Sequence, residues 1–253
     1  MDTGVKPEYD KIIRYSMTLN YNPIICAIDT TDIDAASVLI EQLRGSIGAI
    51  KLGLEFFTAN GANGVRLLEH HQIPVFLDLK FHDIPNTVAK AIKATAGINT
   101  FMMTVHTSGG RAMMQAAIDA SMEVATLTGK ARPLVIGVTV LTSLDQADLH
   151  MIGIKENLND EVARLADLAQ SCRLDGVVCS PYEITNLRKH CGQDFTLVVP
   201  GIRPEGSAQD DQKRTLTPAE AMKKGATYLV IGRPLTQTQN PRDTAQTILN
   251  SLK

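Results

Sequence analysis

Four ionisable residues lie close together in the stretch FLDLKFHDIPNTV, residues 76–88. Asp78, Lys80, His82 and Asp83 stand between an apolar run and a proline. An unpaired charge is costly to bury, so such a cluster either pairs internally or performs chemistry. A lysine held between carboxylates stays protonated and can donate a proton to a carbanion. The stretch by itself leaves both an internally paired ion network and an acid–base site open.

The composition of the chain restricts its class. It has 253 residues, 44% of them hydrophobic, and a formal net charge of -2. A chain without a basic excess is not expected to bind nucleic acid. Residues 1–22 hold neither a signal-peptide core nor a membrane span, and we interpret them as a polar N-terminal extension of one domain, 23–253. The four cysteines lack CxxC spacing, which favours unpaired thiols in a reducing cytoplasm.

Eight short apolar runs alternate with stretches of helical periodicity. Nearly continuous apolar sequence is typical of parallel strands covered on both faces. Asp32 suits the cap of one helix, and Gly225 the end of another. Eight such units in a chain of this length favour an α/β fold, a single-domain (β/α)8 TIM barrel, with an open eight-stranded sheet as the alternative. The runs are 24–29, 49–53, 75–80, 101–106, 134–141, 176–180, 196–202 and 228–233.

Polar residues collect at the carboxyl ends of these runs, which in a barrel share the face that carries the active site. Residues two apart in a strand lie on the same side, so Asp78 and Lys80 are both predicted to face the barrel interior. Asp29 and Lys51, from the two preceding runs, are predicted to approach the same point and complete an array of alternating charges. A buried ion network that only fixes strand register is the alternative for this array. The other strand-end residues are His106, Thr139, Thr142, Ser180, Arg203 and Arg233; for His106 or Ser180 alone, a capping or loop role is the simpler interpretation.

The end of the chain has the features of a phosphate site. VIGRPLT places Gly232 and Arg233 at the close of the eighth run. Glycine lets backbone N–H groups approach an anion, and arginine binds phosphate oxygens bidentately. Arg203 follows the seventh run, and the loops after strands seven and eight are the usual phosphate-binding place in a barrel. The polar stretch 205–214 suits a lid over a bound phosphate.

Seven motifs in this order resemble the orotidine 5′-monophosphate decarboxylase family. The resemblance covers nearly all of the chain after the N-terminal extension, and its DLKFHDIPNT run is highly specific. It implies decarboxylation of orotidine 5′-monophosphate to UMP and carbon dioxide, without cofactor or metal, by a homodimer. The motifs are AID (27–29), IKLG (50–53), DLKFHDIPNT (78–87), VTVLTS (138–143), VPGIRP (199–204), DQKR (211–214) and VIGRP (230–234).

The resemblance also implies a role for each matching residue. Lys80 matches the proton donor to C6 of the pyrimidine, Asp78 the carboxylate beside the substrate carboxylate, and Lys51 the second catalytic lysine. Asp83 matches a catalytic residue that reaches into the neighbouring subunit's site, and Asp29 a ribose-side contact. The other matches to substrate-binding residues are Ile84, Thr87 (in the region shared by the dimer), Thr142, Arg203, Gln212 (on the lid), Gly232 and Arg233, while His82 receives no role.

Three other classes of protein stay open. A related sugar-phosphate decarboxylase, working through an enediolate and magnesium, shares the Asp-x-Lys strand, but the FHDIPNT continuation and Gln212 favour the nucleotide enzyme. A Schiff-base aldolase would need a lysine of lowered pKa rather than flanking carboxylates. A nucleotide-binding protein without catalysis would bind UMP without turnover, but pure binding gains little from a carboxylate that faces an anionic substrate.

Overall fold

The computed structural model describes residues 22–204 and 216–252. Eight parallel strands form a closed barrel in chain order, and the last strand pairs with the first. The predicted (β/α)8 TIM barrel is therefore confirmed, and the open sheet is excluded. The strands are β1 (Ile24–Ile28), β2 (Ala49–Gly53), β3 (Val75–Phe81), β4 (Thr100–His106), β5 (Leu134–Val138), β6 (Gly176–Val178), β7 (Thr196–Val199) and β8 (Tyr228–Ile231).

Helices follow the strands and surround the barrel. Each connection returns the chain to the amino end of the next strand, as parallel pairing requires. The helices are α1 (Ile33–Leu43), α2 (Leu54–Leu68), α3 (Pro85–Ala94), α4 (Gly110–Thr128), α5 (Gln146–Met151), α6 (Leu158–Ser171), α7 (Ile184–Cys191), α8 (Pro218–Lys224), α9 (Arg233–Thr236) and α10 (Pro241–Asn250).

Local sequence signals set several helix ends. The Asp32 carboxylate accepts hydrogen bonds from two backbone N–H groups in the first turn of α1, which confirms the predicted cap. Thr217 and Glu220 form a capping box at the start of α8. Gly225 ends that helix as predicted, with φ of +108°, in the left-handed region that glycine adopts without steric cost.

The barrel interior is packed with side chains, so it is not a pore. Inward-facing residues of seven strands form a buried cluster separate from the larger core between the strands and the helices. The filled interior leaves the carboxyl mouth of the barrel as the place where a ligand meets strand-end residues. The inner cluster contains Ile25, Ala27, Ala49, Phe76, Met102, Leu134, Ile136, Val198, Tyr228 and Val230.

The amino end of the barrel holds a saturated ion pair, called the lower pair below. Arg132 precedes β5 and Asp175 precedes β6. One oxygen of the Asp175 carboxylate accepts from Arg132 Nη1 at 3.0 Å and from the Val135 N–H at 2.7 Å. The other oxygen pairs with Arg132 Nη2. This bidentate contact ties two neighbouring strand starts together.

All four cysteines are buried and free, which confirms the prediction of unpaired thiols.

Within 22–204 and 216–252, no helix combines the length and the apolar character that crossing a membrane would require.

Candidate active site

A chain of alternating charges lies at the carboxyl mouth of the barrel. Lys80 Nζ is 2.9 Å from Asp78 Oδ2, and Lys51 Nζ is 3.7 Å from the same oxygen. Lys51 Nζ is also 3.7 Å from Asp29 Oδ1. The predicted array of Asp29, Lys51, Asp78 and Lys80 is therefore confirmed, and it is called the charged array below.

The central members of the charged array are largely shielded from water. The side chains of Asp78 and Lys51 are 11% and 14% exposed, whereas that of Asp29 is 59% exposed. Burial by itself would raise the pKa of Asp78, but the positive charges of Lys51 and Lys80 outweigh it. Hydrogen bonds from Lys80 and Thr104 act in the same direction, so the pKa of Asp78 lies below its ordinary value. Asp78 is thus a carboxylate at neutral pH.

The backbone at Lys80 departs from a regular strand. Its φ is +50°, in the left-handed region that costs an L-residue about 1–2 kcal/mol. Between Leu77 and Phe81 the register also slips, because β3 advances four residues while β4 advances two. Asp78 and Lys80 therefore meet through a β-bulge and not through the regular strand alternation used to predict their contact. Such strain is typical of functional sites.

Sequence reasoning missed one residue of this site, Thr104 on β4. Its side chain is fully buried, and its hydroxyl donates to Asp78 Oδ1 at 2.9 Å. The Thr104 hydroxyl oxygen also accepts a hydrogen bond from the backbone N–H of Lys80 at 2.9 Å. The signal was present, because Thr104 is a polar residue inside the apolar run FMMTVH, of which only the last residue was considered.

A cavity of about 150 Å³ adjoins the charged array. One side carries the ammonium and carboxylate groups, and the rest is mainly apolar. Thr142, predicted to bind substrate, lies in this wall. The lining residues are Lys51, Phe76, Asp78, Lys80, Val138, Val140, Leu141, Thr142, Val178, Val198, Pro200 and Val230.

Two other strand-end residues bind groups of the protein itself. Thr139 is buried, and its hydroxyl donates to the Val178 carbonyl at 3.3 Å. Ser180 is fully buried, and its backbone N–H donates to the Glu183 carboxylate at 2.7 Å. These contacts agree with the simpler interpretation of Ser180 as a loop residue.

His106 ends β4, and its ring lies 5.2 Å from that of His82, centroid to centroid. Partial burial lowers the pKa of His106, and the positive charges of His82 and Lys80 lower it further. A mainly neutral imidazole therefore stands near the array at neutral pH.

The predicted phosphate-side residues are only partly described. Gly232 follows β8, and Arg233 begins α9. A methyl group at Gly232 would lie 3.7 Å from Asp29 Oδ2, so Gly232 borders the Asp29 end of the charged array. Arg203 follows β7 and is half-buried. Gln212 and the rest of the predicted lid lie outside the described residues.

Three predicted residues take no part in the ion pairs of the charged array. Asp83, Ile84 and Thr87 are exposed at the junction of β3 and α3. Asp83 accepts the N–H of its neighbour Ile84 at 2.6 Å, and Ile84 is 67% exposed. Within the described part of the chain, Asp83 forms no ion pair.

Known proteins resemble this chain over most of its length. It is 51% identical over 224 residues to orotidine 5'-phosphate decarboxylase of Paramagnetospirillum magneticum, covering 88% of this chain and 95% of that protein. It is 51% identical over 231 residues to the protein of that name from Ehrlichia canis, covering 91% and 98%. The crystal structure of orotidine 5'-phosphate decarboxylase from Lactobacillus acidophilus superposes with a TM-score of 0.82 at 32% identity, covering 92% of this chain and 99% of that one. Residues 22–248 match one family description, and the chain belongs to the Orotidine 5'-phosphate decarboxylase / HUMPS family.

Proposed function

We propose that this protein decarboxylates orotidine 5′-phosphate to UMP and carbon dioxide in pyrimidine biosynthesis. The observation that carries the proposal is the Lys51–Asp78–Lys80 arrangement beside an apolar cavity. The family match and the relatives named for this reaction support the same substrate.

Lys80 is the proposed proton donor. When the bond from C6 to the carboxylate breaks, its electron pair stays on C6 in an orbital in the plane of the ring, where the ring's π system delocalises it poorly. An ammonium beside C6 stabilises that charge and then transfers a proton to it. Carbon dioxide leaves, and Lys80 is left as a neutral amine that takes a proton from water. Asp78, at 2.9 Å from Lys80 Nζ, favours the charged ammonium before the reaction.

Asp78 is proposed to oppose the substrate carboxylate more than it opposes the products. Because its pKa lies below the ordinary value, it stays negative beside a second carboxylate. Loss of neutral carbon dioxide removes this repulsion, and the apolar wall accepts a neutral molecule better than an anion. Binding energy from the distant phosphate offsets the repulsion when the substrate binds.

The remaining predicted residues are proposed to supply that binding energy. Asp29 would contact the ribose, and Thr142 the nucleotide from the cavity wall. Their positions, at one end of the array and in the cavity lining, are compatible with these roles. Arg203, Gly232 and Arg233 follow β7 and β8, where barrels usually bind phosphate, and Gln212 would act from the lid.

We further propose that two subunits share their sites. The exposure of Asp83, Ile84 and Thr87 supports a role in a homodimer, in which Asp83 completes the neighbouring site. Mixing Asp83→Ala with Lys80→Ala tests this, because each mixed dimer has one intact site. Random exchange should restore about a quarter of wild-type activity. No regain after demonstrated subunit exchange rejects the shared site.

The proposed reaction is tested by following the absorbance of orotidine 5′-phosphate with a metal chelator present. The expected result is turnover that the chelator leaves unchanged. Turnover of a sugar phosphate that the chelator abolishes would indicate the magnesium-dependent class instead. Irreversible borohydride trapping on Lys80 or Lys51 would indicate a Schiff-base enzyme, and UMP binding without turnover a pure binding protein.

A cytoplasmic location is also part of this proposal. Four free, buried thiols support it, because a reducing compartment keeps thiols unpaired. Fractionation of the source cells tests the location.

A further inference from the structure

Thr104 connects the two residues that carry the proposed chemistry. It lies on β4 beside the bulge in β3, and none of its surface is exposed. Its hydroxyl accepts from the backbone N–H of Lys80 and donates to the Asp78 carboxylate, each at 2.9 Å. The single oxygen atom is thus bonded to the backbone of one residue and to the side chain of the other.

The two oxygens of the Asp78 carboxylate have different partners. Oδ1 receives the Thr104 hydroxyl, while Oδ2 faces both ammonium groups, at 2.9 Å from Lys80 Nζ and 3.7 Å from Lys51 Nζ. With Oδ1 held in this way, the carboxylate cannot rotate to give one oxygen to each lysine. Both lysines therefore share a single acceptor.

The same hydroxyl supports the strained backbone. Lys80 has φ of +50°, and its N–H lies where the pairing of β3 with β4 is interrupted. A buried N–H needs an acceptor, and Thr104 supplies it in place of a strand carbonyl. Without that acceptor, the left-handed conformation of Lys80 would lose a hydrogen bond that offsets its steric cost.

We propose that Thr104 is a positioning residue for the decarboxylation, which fixes the Asp78 carboxylate and the Lys80 backbone relative to each other. The inference rests on the proposed function, because the positioned groups are those assigned to the chemistry. The position requires a group that donates and accepts at once, which a hydroxyl does and a methyl group does not. Thr104 is fully buried and is not among the residues that line the cavity, so it acts on the substrate only through its two partners.

The test compares Thr104→Val, which removes the hydroxyl and keeps the shape, with Thr104→Ser, which keeps the hydroxyl. In Thr104→Val we expect kcat to fall about 10- to 100-fold, because a small misplacement of reacting groups is costly. KM should stay within about threefold of wild type, because the phosphate-side residues are untouched. Thr104→Ser should recover kcat to within about threefold of wild type, since its hydroxyl makes both bonds.

A matched control separates positioning from the general cost of losing a buried hydroxyl. Thr95 is also buried, and its hydroxyl donates to the Ile92 carbonyl at 2.7 Å, at the far end of α3. Thr95→Val should lower stability by an amount similar to Thr104→Val while leaving kcat unchanged. Should Thr104→Val fail to fold, Thr104→Cys, whose thiol is a weak donor, replaces it with the same expected fall in kcat.

The outcomes distinguish this inference from the proposed function. Wild-type turnover with an equally active Thr104→Val overturns the positioning role and leaves the reaction intact. Failure of Thr104→Ser to recover kcat also overturns it. If the wild-type protein does not decarboxylate the substrate, the proposed function fails, and a crystal structure of Thr104→Val decides the inference alone. A rotated Asp78 carboxylate or a Lys80 backbone outside the left-handed region supports it, and unchanged geometry rejects it.

Discussion

The charged array and the lower pair lie at opposite ends of the same barrel and are built differently. In the lower pair one arginine meets one carboxylate through both oxygens, and the Val135 N–H adds a further bond. In the charged array two ammonium groups share one oxygen of Asp78, two of the contacts are as long as 3.7 Å, and Lys80 has a strained backbone.

The difference in geometry between the two clusters suits the lower pair to stabilising the fold and the charged array to interacting with a substrate. Saturated, bidentate geometry at the amino end joins strand starts and leaves no charge available for a ligand. Long contacts, a shared acceptor and an open cavity at the carboxyl end leave the ammonium groups able to interact with a substrate. Barrels commonly keep their stabilising contacts at the first end and their active site at the second. Substitutions at the two ends should therefore affect different measurements.

The largest effect is expected from Asp78→Asn in the charged array. Removing this carboxylate should lower kcat about 10³-fold, because the lysines lose the group that orients them. KM should not rise, because the repulsion against the substrate carboxylate is removed as well. Steady-state kinetics measure both quantities. A raised KM with unchanged kcat would mean that Asp78 only helps to bind the substrate.

The next effect is expected from Arg132→Met in the lower pair. It leaves the Asp175 carboxylate buried without its cation, so the free energy of unfolding should fall by about 3 kcal/mol. Denaturant titration measures this loss. The kcat should remain within about twofold of wild type, because the site lies at the other end of the barrel. A large fall in kcat at unchanged stability would contradict the division between the two ends.

A smaller effect tests the strain at Lys80. Glycine tolerates positive φ, so Lys80→Gly should be more stable than Lys80→Ala by about 0.5–1 kcal/mol. The same pair of substitutions at the neighbouring Leu79, which lacks positive φ, should give the opposite order. Denaturant titration of the four variants decides. If Lys80→Ala is at least as stable as Lys80→Gly, the backbone at Lys80 is not strained.

The smallest effect concerns His71, outside both clusters. Its ring contacts Ser37 at 2.8 Å and Glu41 at 3.3 Å, with His70 and Arg44 nearby. Burial lowers the pKa of His71, so the unfolded chain binds the proton more readily and stability decreases as pH falls from about 7 to about 5. Thermal unfolding across this range should show a shallower slope for His71→Asn. An unchanged slope would assign the pH dependence to other groups.

The sequence was sufficient to predict the barrel and the members of the charged array. Apolar runs mark the buried strands, and helical periodicity marks the helices that cover them. The alternation of these two patterns is what identifies the barrel. Strand ends were less predictable: the run 134–141 continues three residues beyond Val138, where β5 ends. The reason is that residues such as Val140 remain buried after they leave the strand ladder.

The bulge could not be predicted from residue types. Alternation correctly put Asp78 beside Lys80, but the contact arises from the positive φ and the register slip. Those features depend on how β3 pairs with β4, and this pairing cannot be predicted from the residue types within either strand. Thr104 could have been noticed as a polar residue inside an apolar run, but its two partners are known only once β3 and β4 are adjacent.

The most direct test of the central claim is turnover of orotidine 5′-phosphate by the wild-type protein and by Lys80→Ala, with a chelator present. The account predicts metal-independent production of UMP by the wild type and a fall in kcat of at least about 10⁴-fold in the variant, which lacks both the charge and the proton. Arg132→Met, assayed beside them, should stay active. Substantial turnover by Lys80→Ala would contradict the assignment of the charged array as the catalytic group.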